Sequence, residues 1–235
     1  MAKAGMFAKS EHEELNRITS KSILEKLMNI RQKINVGFTA RRLVWELIQN
    51  AKDNVSLCSQ NDEKVDVHIS LSETEFIFSH NKGYFTSGHI RGLVRKYSSG
   101  DKERNTEQLG QAYKTTGRFG TGFMTTHLLS EKVKIVSTFQ HEETGLFHPC
   151  SFWLDRTGKT EAKIVEGMNQ AFDQAEEAIL NSDGVDRSDF DLKTSFIYPL
   201  TDQTRPLAYV ALEEVQKGIA SILINYMHLH IINQI

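Results

Sequence analysis

Cysteine is nearly absent. The 235 residues hold two, Cys58 and Cys150, far apart and outside any CxxC pair. This excludes a zinc ligand set at the usual spacing and suits a reducing, cytoplasmic setting. An excess of one charge is missing too. With 28 basic against 30 acidic residues, nothing global draws the chain to nucleic acid, and the one basic cluster is the short "ARR", Ala40 to Arg42. The first residues, "MAKAGMFAKSEHEEL", contain no apolar core of signal-peptide length. No hydrophobic run reaches a membrane span. The C-terminal "SILINYMHLHIINQI" is broken by Asn225, His228 and His230, and it predicts a packed helix. It carries no helix stop signal, so the chain is expected to be a piece of a longer protein. There is no GxxxxGK[ST] loop, no strand-borne GxGxxG and no HExxH, and the "HEE" stretches at His12 and His141 read as surface residues. No internal repeat is present.

What remains is 39% hydrophobic, enough for one large domain or one domain with a helical appendage. Apolar periodicity predicts helices over 10–35 and from Phe38 to about Ser59. "KVDVHISL" (Lys64 to Leu71) and "EFIFSH" (Glu75 to His80), joined by the polar "SET", predict a β-hairpin. Thr86 to Tyr97 reads as a short helix. Ser98 to Gly117 is a long polar loop, a length that is usually functional or disordered. Then follow a helix over Phe123 to Leu129, strands over Lys132 to Phe139 and Leu146 to Leu154, and a helix over Glu166 to Leu180. A strand over Lys193 to Leu200 and a final helix opened by Pro206 complete the chain. Helices first and mostly antiparallel strands later predict an α+β fold: a two-layer α/β sandwich whose mixed, mostly antiparallel sheet is covered on one face by helices. Trp45 and Trp153 are expected in the core.

Two stretches carry chemistry. In "LVWELIQNAKDN", Leu43, Val44, Leu47, Ile48 and Ala51 share one helix face, and Glu46, Asn50 and Asp53 fall on a narrow stripe beside it. A carboxylate held there would orient a water, and a neutral amide oxygen would ligate Mg²⁺ without adding negative charge near phosphates. The same stripe is equally an ordinary solvated border with Glu46 paired to Arg42. The second stretch is "TGRFGTGFMTTHLLSEKVKIVS", where Gly117, Gly120 and Gly122 run into a helix and then a strand. Glycine lets main-chain amides at a helix start approach a phosphate closely. A flexible turn is the plainer alternative.

Taken in order, the E-x3-N-x2-D helix, the hairpin, the polar loop and the GxxGxGF helix start resemble the GHKL superfamily of gyrase, heat-shock chaperone, histidine kinase and mismatch-repair ATPases. The similarity is closest to the heat-shock chaperone and sacsin-like branch, and it spans roughly Phe38 to Leu200. It implies a Bergerat-type ATP-binding domain over 37–200, with an N-terminal helical segment at 1–36. A C-terminal helix at 201–235 would lead toward a further domain. It further implies Glu46 as general base, Asn50 as Mg²⁺ ligand and Asp53 near the nucleotide. Gly117, Arg118, Phe119, Gly120, Thr121 and Gly122, followed by Phe123, would form the phosphate-facing box, and Ser98 to Thr116 the ATP lid, from which Lys102 reaches a phosphate. Thr194 would help hold the adenine site. Where the family places DxGxG, this chain has "HNKGYFT", His80 to Thr86. His80 then stands at the aspartate position with Asn81 beside it, and the motif glycine is displaced to Gly83. A neutral imidazole still accepts one hydrogen bond.

The function implied is an ATP-binding module with Mg-dependent ATPase chemistry coupled to conformational change or dimerisation in a larger chaperone-like or defence protein. Turnover by this stretch alone is expected to be weak, because no arginine finger or second-domain lysine is visible. The alternative is a nucleotide-sensing interaction module that does not hydrolyse. A protein histidine kinase fits less well, since His12 lacks a dimerisation-type helical pair around it. ATP and Mg²⁺ are the ligands implied. Further domains of a longer chain and a homodimer are the partners expected, with no membrane.

Overall fold

The structure, a computed structural model, describes residues 13–32, 42–52, 65–95, 122–187, 191–222 and 227–233, of which 13, 219–222 and 227–233 by main chain alone. Helix α1 spans Glu13–Gln32 and α2 residues 42–52. Strands β1 (Val65–Leu71) and β2 (Glu75–Asn81) form the expected hairpin, closed by Ser72 N–H donating to the Glu75 carbonyl at 2.9 Å. After α3 (Ser87–Arg95), a short helix α4 (Gly122–Thr125) tightens into a 3₁₀ turn over Thr126–Leu128. There follow β3 (Lys132–Gln140), β4 (Phe147–Asp155), α5 (Glu161–Leu180), β5 (Lys193–Pro199), α6 (Arg205–Ile222) and β6 (Met227–Asn233).

The strands form one six-stranded sheet in the order β4-β3-β5-β2-β1-β6, antiparallel except where β6 runs parallel to β1. This is the expected α+β, two-layer arrangement. Alternation sends one face of each of β1 to β5 inward: Val67 and Ile69, Phe76 and Phe78, Val133 and Ile135, Phe152 and Leu154, Phe196 and Tyr198 are all buried. Leu43, Val44, Leu47, Ile48 and Ala51 of α2 cover this face as the helical periodicity predicts. Ile23 and Leu27 of α1 and Leu207, Ala208, Ala211 and Val215 of α6 belong to the same contiguous core.

Three expectations are corrected. The first concerns the C-terminal stretch, predicted as helix. Here α6 ends at Ile222, and residues 227–233 form a strand pairing Val65↔Met227 through Leu71↔Asn233. "MHLHIIN" alternates apolar and polar at its start and is rich in Ile, and the outer edge of β1 offers it a ladder of main-chain partners. The second is Trp153, expected in the core. It is 36% exposed, because on β4 the even positions Cys150, Phe152 and Leu154 point inward, and Lys134 lies 6.0 Å from its ring. The third is the start of α5, five residues earlier than predicted. Thr160 caps it, its side chain accepting from Lys163 N–H, and Ile164 already belongs to the buried face. Gly167 is needed there, since a Cβ would come within 2.8 Å of the Asp155 carbonyl oxygen.

Two arginines lie inside the molecule. Arg95 at the end of α3 donates from Nε to Asn16 Oδ1 of α1 at 2.7 Å and stacks over Phe172 of α5, while Asn16 donates in turn to Asn169 Oδ1. Arg156 donates from Nη2 to the Val94 carbonyl, and Arg31 of α1 donates to the Arg156 carbonyl at 3.0 Å. The end of α3 is thus gripped from α1, α5 and the end of β4.

Candidate functional site

On α2, Glu46 and Asn50 sit half-buried at the border of the apolar face, one helical turn apart. Arg42 donates to Glu46 Oε1 at 3.2 Å, the i,i+4 pair that the sequence left open. The Glu46 carboxylate also lies directly against Gly122. A Cβ built on Gly122 would coincide with that carboxyl group, so only glycine admits the contact. Glu46 and the last glycine of the cluster, 76 positions apart in sequence, are therefore neighbours. Among the described residues the Asn50 amide has no hydrogen-bond partner, which leaves its oxygen available one turn beyond the carboxylate.

Gly122 leads into Phe123, whose ring packs on Phe196 of β5 at 5.5 Å and edge-on against His127 at 5.9 Å. Phe123 is thus a packing residue that fixes α4 to the sheet. Two residues along β5 from Phe196, the buried sheet face changes character. Thr194 is the Cα partner of His80 on β2, and its hydroxyl lies 2.7 Å from Ser137 Oγ on β3. Ser137 in turn is the partner of Cys150 on β4. A row of polar side chains, Cys150, Ser137, Thr194 and His80, crosses an otherwise apolar floor, each no more than 5% exposed. Ser137 and Cys150 were not singled out in the sequence. The alternation of "KVKIVSTF" places Ser137 on the face of Val133 and Ile135, and that parity is the signal that finds it.

His80 Nδ1 lies 3.1 Å from the Asn81 carbonyl oxygen. A carbonyl only accepts, so Nδ1 carries the proton and Nε2 holds a lone pair. Burial pulls the imidazole down to about 4, with the Asn81 carbonyl opposing in part, so the ring is neutral near pH 7. Asn81 points to the other face. Its Oδ1 accepts from Asp66 N–H at 2.9 Å and its Nδ2 donates to Asp66 Oδ2 at 2.7 Å, stapling β2 to β1. The structure therefore separates these two adjacent candidates, His80 toward the helices and Asn81 away from them. In the turn that follows, the left-handed position is taken by Lys82 (φ 65°), whose N–H donates to the Leu192 carbonyl, and Gly83 is buried next to it. Phe85 then bridges to β3, donating to Thr138 O at 2.7 Å and accepting from Gln140 N–H.

Asp53, Lys102, Gly117, Arg118, Phe119, Gly120, Thr121 and the lid Ser98 to Thr116 lie outside the described residues. A second buried histidine, His127, lies on the 3₁₀ turn that follows α4. Its Nδ1 donates to Ser130 O at 3.3 Å, and burial together with the Arg156 guanidinium pulls it down to about 3. Burial also lowers Arg156, to about 10. Open grooves of about 400 and 290 Å³ flank Trp153 at the β4 edge, lined by Lys134, Gln174 and their neighbours, away from Glu46 and His80.

No protein-family model matches the chain, and no curated protein matches it. No described helix is long and apolar enough to cross a membrane. Among the described residues no group of three or more His, Cys, Asp or Glu is placed to hold a metal ion by itself. A single amide oxygen fits Mg²⁺ that arrives with phosphates, because that ion keeps several waters and takes few protein ligands.

Proposed function

We propose that this chain is a GHKL-type, Bergerat-fold module that binds ATP with Mg²⁺ and hydrolyses it slowly. The reading rests above all on one observation: the Glu46 carboxylate abuts Gly122, where the glycine cluster enters its helix. A carboxylate beside a phosphate-facing turn orients an attacking water and accepts its proton. The Asn50 oxygen would hold the metal, whose charge offsets that of the phosphates when it is bound. Gly117 to Thr121 would supply main-chain donors, with Lys102 and the lid closing over them, and Asp53 would support the pocket. The buried polar row would meet the base. In this reading the module is cytoplasmic and belongs to a larger chaperone-like or defence protein, where nucleotide binding drives conformational change or dimerisation.

The test is calorimetric titration of ATP, ADP and GTP with Mg²⁺ on the wild-type chain and on Asn50→Ala. Binding of ATP that weakens at least about tenfold in the variant supports the reading. Absence of binding to the wild-type chain rejects it. One observation favours a second reading, a nucleotide sensor without hydrolysis: Arg42 already occupies a Glu46 oxygen. Single-turnover hydrolysis separates the two. A wild-type rate that Glu46→Ala abolishes supports the ATPase, and an equal, background rate in both supports the sensor.

A further inference from the structure

The outer rim of β4 is closed to another strand. Its odd positions turn their main chain away from β3. At Phe147 both main-chain groups pair with Val185, Pro149 has no N–H to give, and the Trp153 N–H donates to Gln174 Oε1 at 2.8 Å. Between these plugs only Ser151 remains, too short a stretch for a ladder. A partner at this rim is therefore met by side chains. Five large apolar side chains stand exposed among the described residues, and three of them gather here. Trp153 lines the groove of about 400 Å³, Val136 is the cross-strand partner of its Ser151, and Leu180 adjoins its Asn181. The groove also holds one charge of each sign. Lys134, whose Nζ lies 6.0 Å from the Trp153 ring, stands on the sheet wall, and Glu177 of α5 on the helix wall. Neither makes an ion pair among the described residues, whereas in the adjoining groove Lys132 is matched by Asp155 at 2.9 Å.

A uniformly acidic or basic partner would match one wall and be repelled by the other. An apolar patch bordered by one unmatched charge of each sign complements itself, because a two-fold axis forms the same contact twice. We propose that a second copy of this chain docks on the β4 rim, in a two-fold contact that covers Trp153, Val136 and Leu180 and pairs Lys134 of each protomer with the partner's Glu177. The rim lies away from Glu46 and His80, so the contact needs no nucleotide and stands or falls apart from the nucleotide-binding reading.

The experiment is sedimentation velocity of the full chain without nucleotide, over about 5 to 200 µM. The wild type is expected to pass from monomer to dimer within that range. Lys134→Glu and Glu177→Lys each set like charges together twice, and each raises the dissociation constant at least about tenfold. An equimolar mixture of the two variants pairs opposite charges at both contacts again. Its dissociation constant returns to within about threefold of the wild-type value, a recovery that only a two-fold contact gives. Trp153→Ala weakens association in the wild type and in the mixture alike. Circular dichroism and thermal melts establish that each variant is folded. A wild type that stays monomeric throughout overturns the inference. So does a dimer that both charge reversals leave intact, or a mixture that does not recover.

Discussion

His80 and His127 are built alike and placed differently. Each is buried, each donates Nδ1–H to a main-chain carbonyl, and each is held neutral by burial. His127 sits on the 3₁₀ turn after α4, beside the buried Arg156 and within reach of the charge of Arg31, and its buried Nε2 has no hydrogen-bond partner among the described residues. His80 lies on the sheet floor, and its neighbour across the strand pair is a hydroxyl. The imidazole is the same in both places. What differs is the surroundings: a turn beside a buried arginine for His127, a row of polar side chains on the sheet for His80.

The largest effect on stability is expected at His127. His127→Ala leaves a cavity and an unpaired Ser130 carbonyl and costs about 2–4 kcal/mol in urea denaturation. A loss below about 1 kcal/mol would mean that the turn does not depend on this ring and would erase the distinction between the two histidines. Acid comes next. An unfolded histidine titrates near 6.5, the folded His80 at about 4 and His127 at about 3. Between these limits the unfolded chain binds more protons, so stability is full above about pH 6.5 and is lost as the pH falls. The slope reaches about 1.4 kcal/mol per pH unit for each histidine. Denaturation at pH 7, 6 and 5 should show a smaller slope in His80→Gln and in His127→Gln, with part of it kept by the other histidine and by His89, which burial also lowers. A slope left unchanged by either substitution would mean that other groups govern acid unfolding.

Thr194→Val removes the hydroxyl bond to Ser137 and should cost about 1 kcal/mol by thermal melting. The smallest change in stability is expected for Gly122→Ala. The new methyl displaces only the mobile end of the Glu46 side chain, and alanine is the better helix former, so stability shifts by less than about 1 kcal/mol. Hydrolysis should nevertheless drop at least about tenfold, because the carboxylate has moved. An unaltered rate would mean that the first residue of α4 has no chemical role. That would leave the helix with a structural end at His127 and nothing to contrast with it.

The parts of the site visible in the sequence are those that a short period encodes. Helical spacing puts Glu46 and Asn50 beside an apolar face, and strand parity aims His80 and Ser137 inward. The contact of Glu46 with Gly122 is tertiary and has no signature in either segment alone. The buried arginines were equally hidden. Arg95 and Arg156 carry no local signal of burial, which comes only where the ends of α1, α3 and β4 converge on them. Residues 227–233 were misread because a short apolar run fits helix or strand equally well, and the choice is made by the open edge of β1.

That last strand has a consequence for how the protein is made. β1 and β6 are separated by roughly 160 residues of chain, 65 against 227 at their first pair. A ribosome adding about 5–20 residues per second takes about 8–30 seconds to cover that interval. For that time the nascent sheet shows a bare outer rim, with N–H and C=O groups awaiting the final strand. Chaperone contact during synthesis should concentrate on residues 65–71 and end once 227–233 emerges.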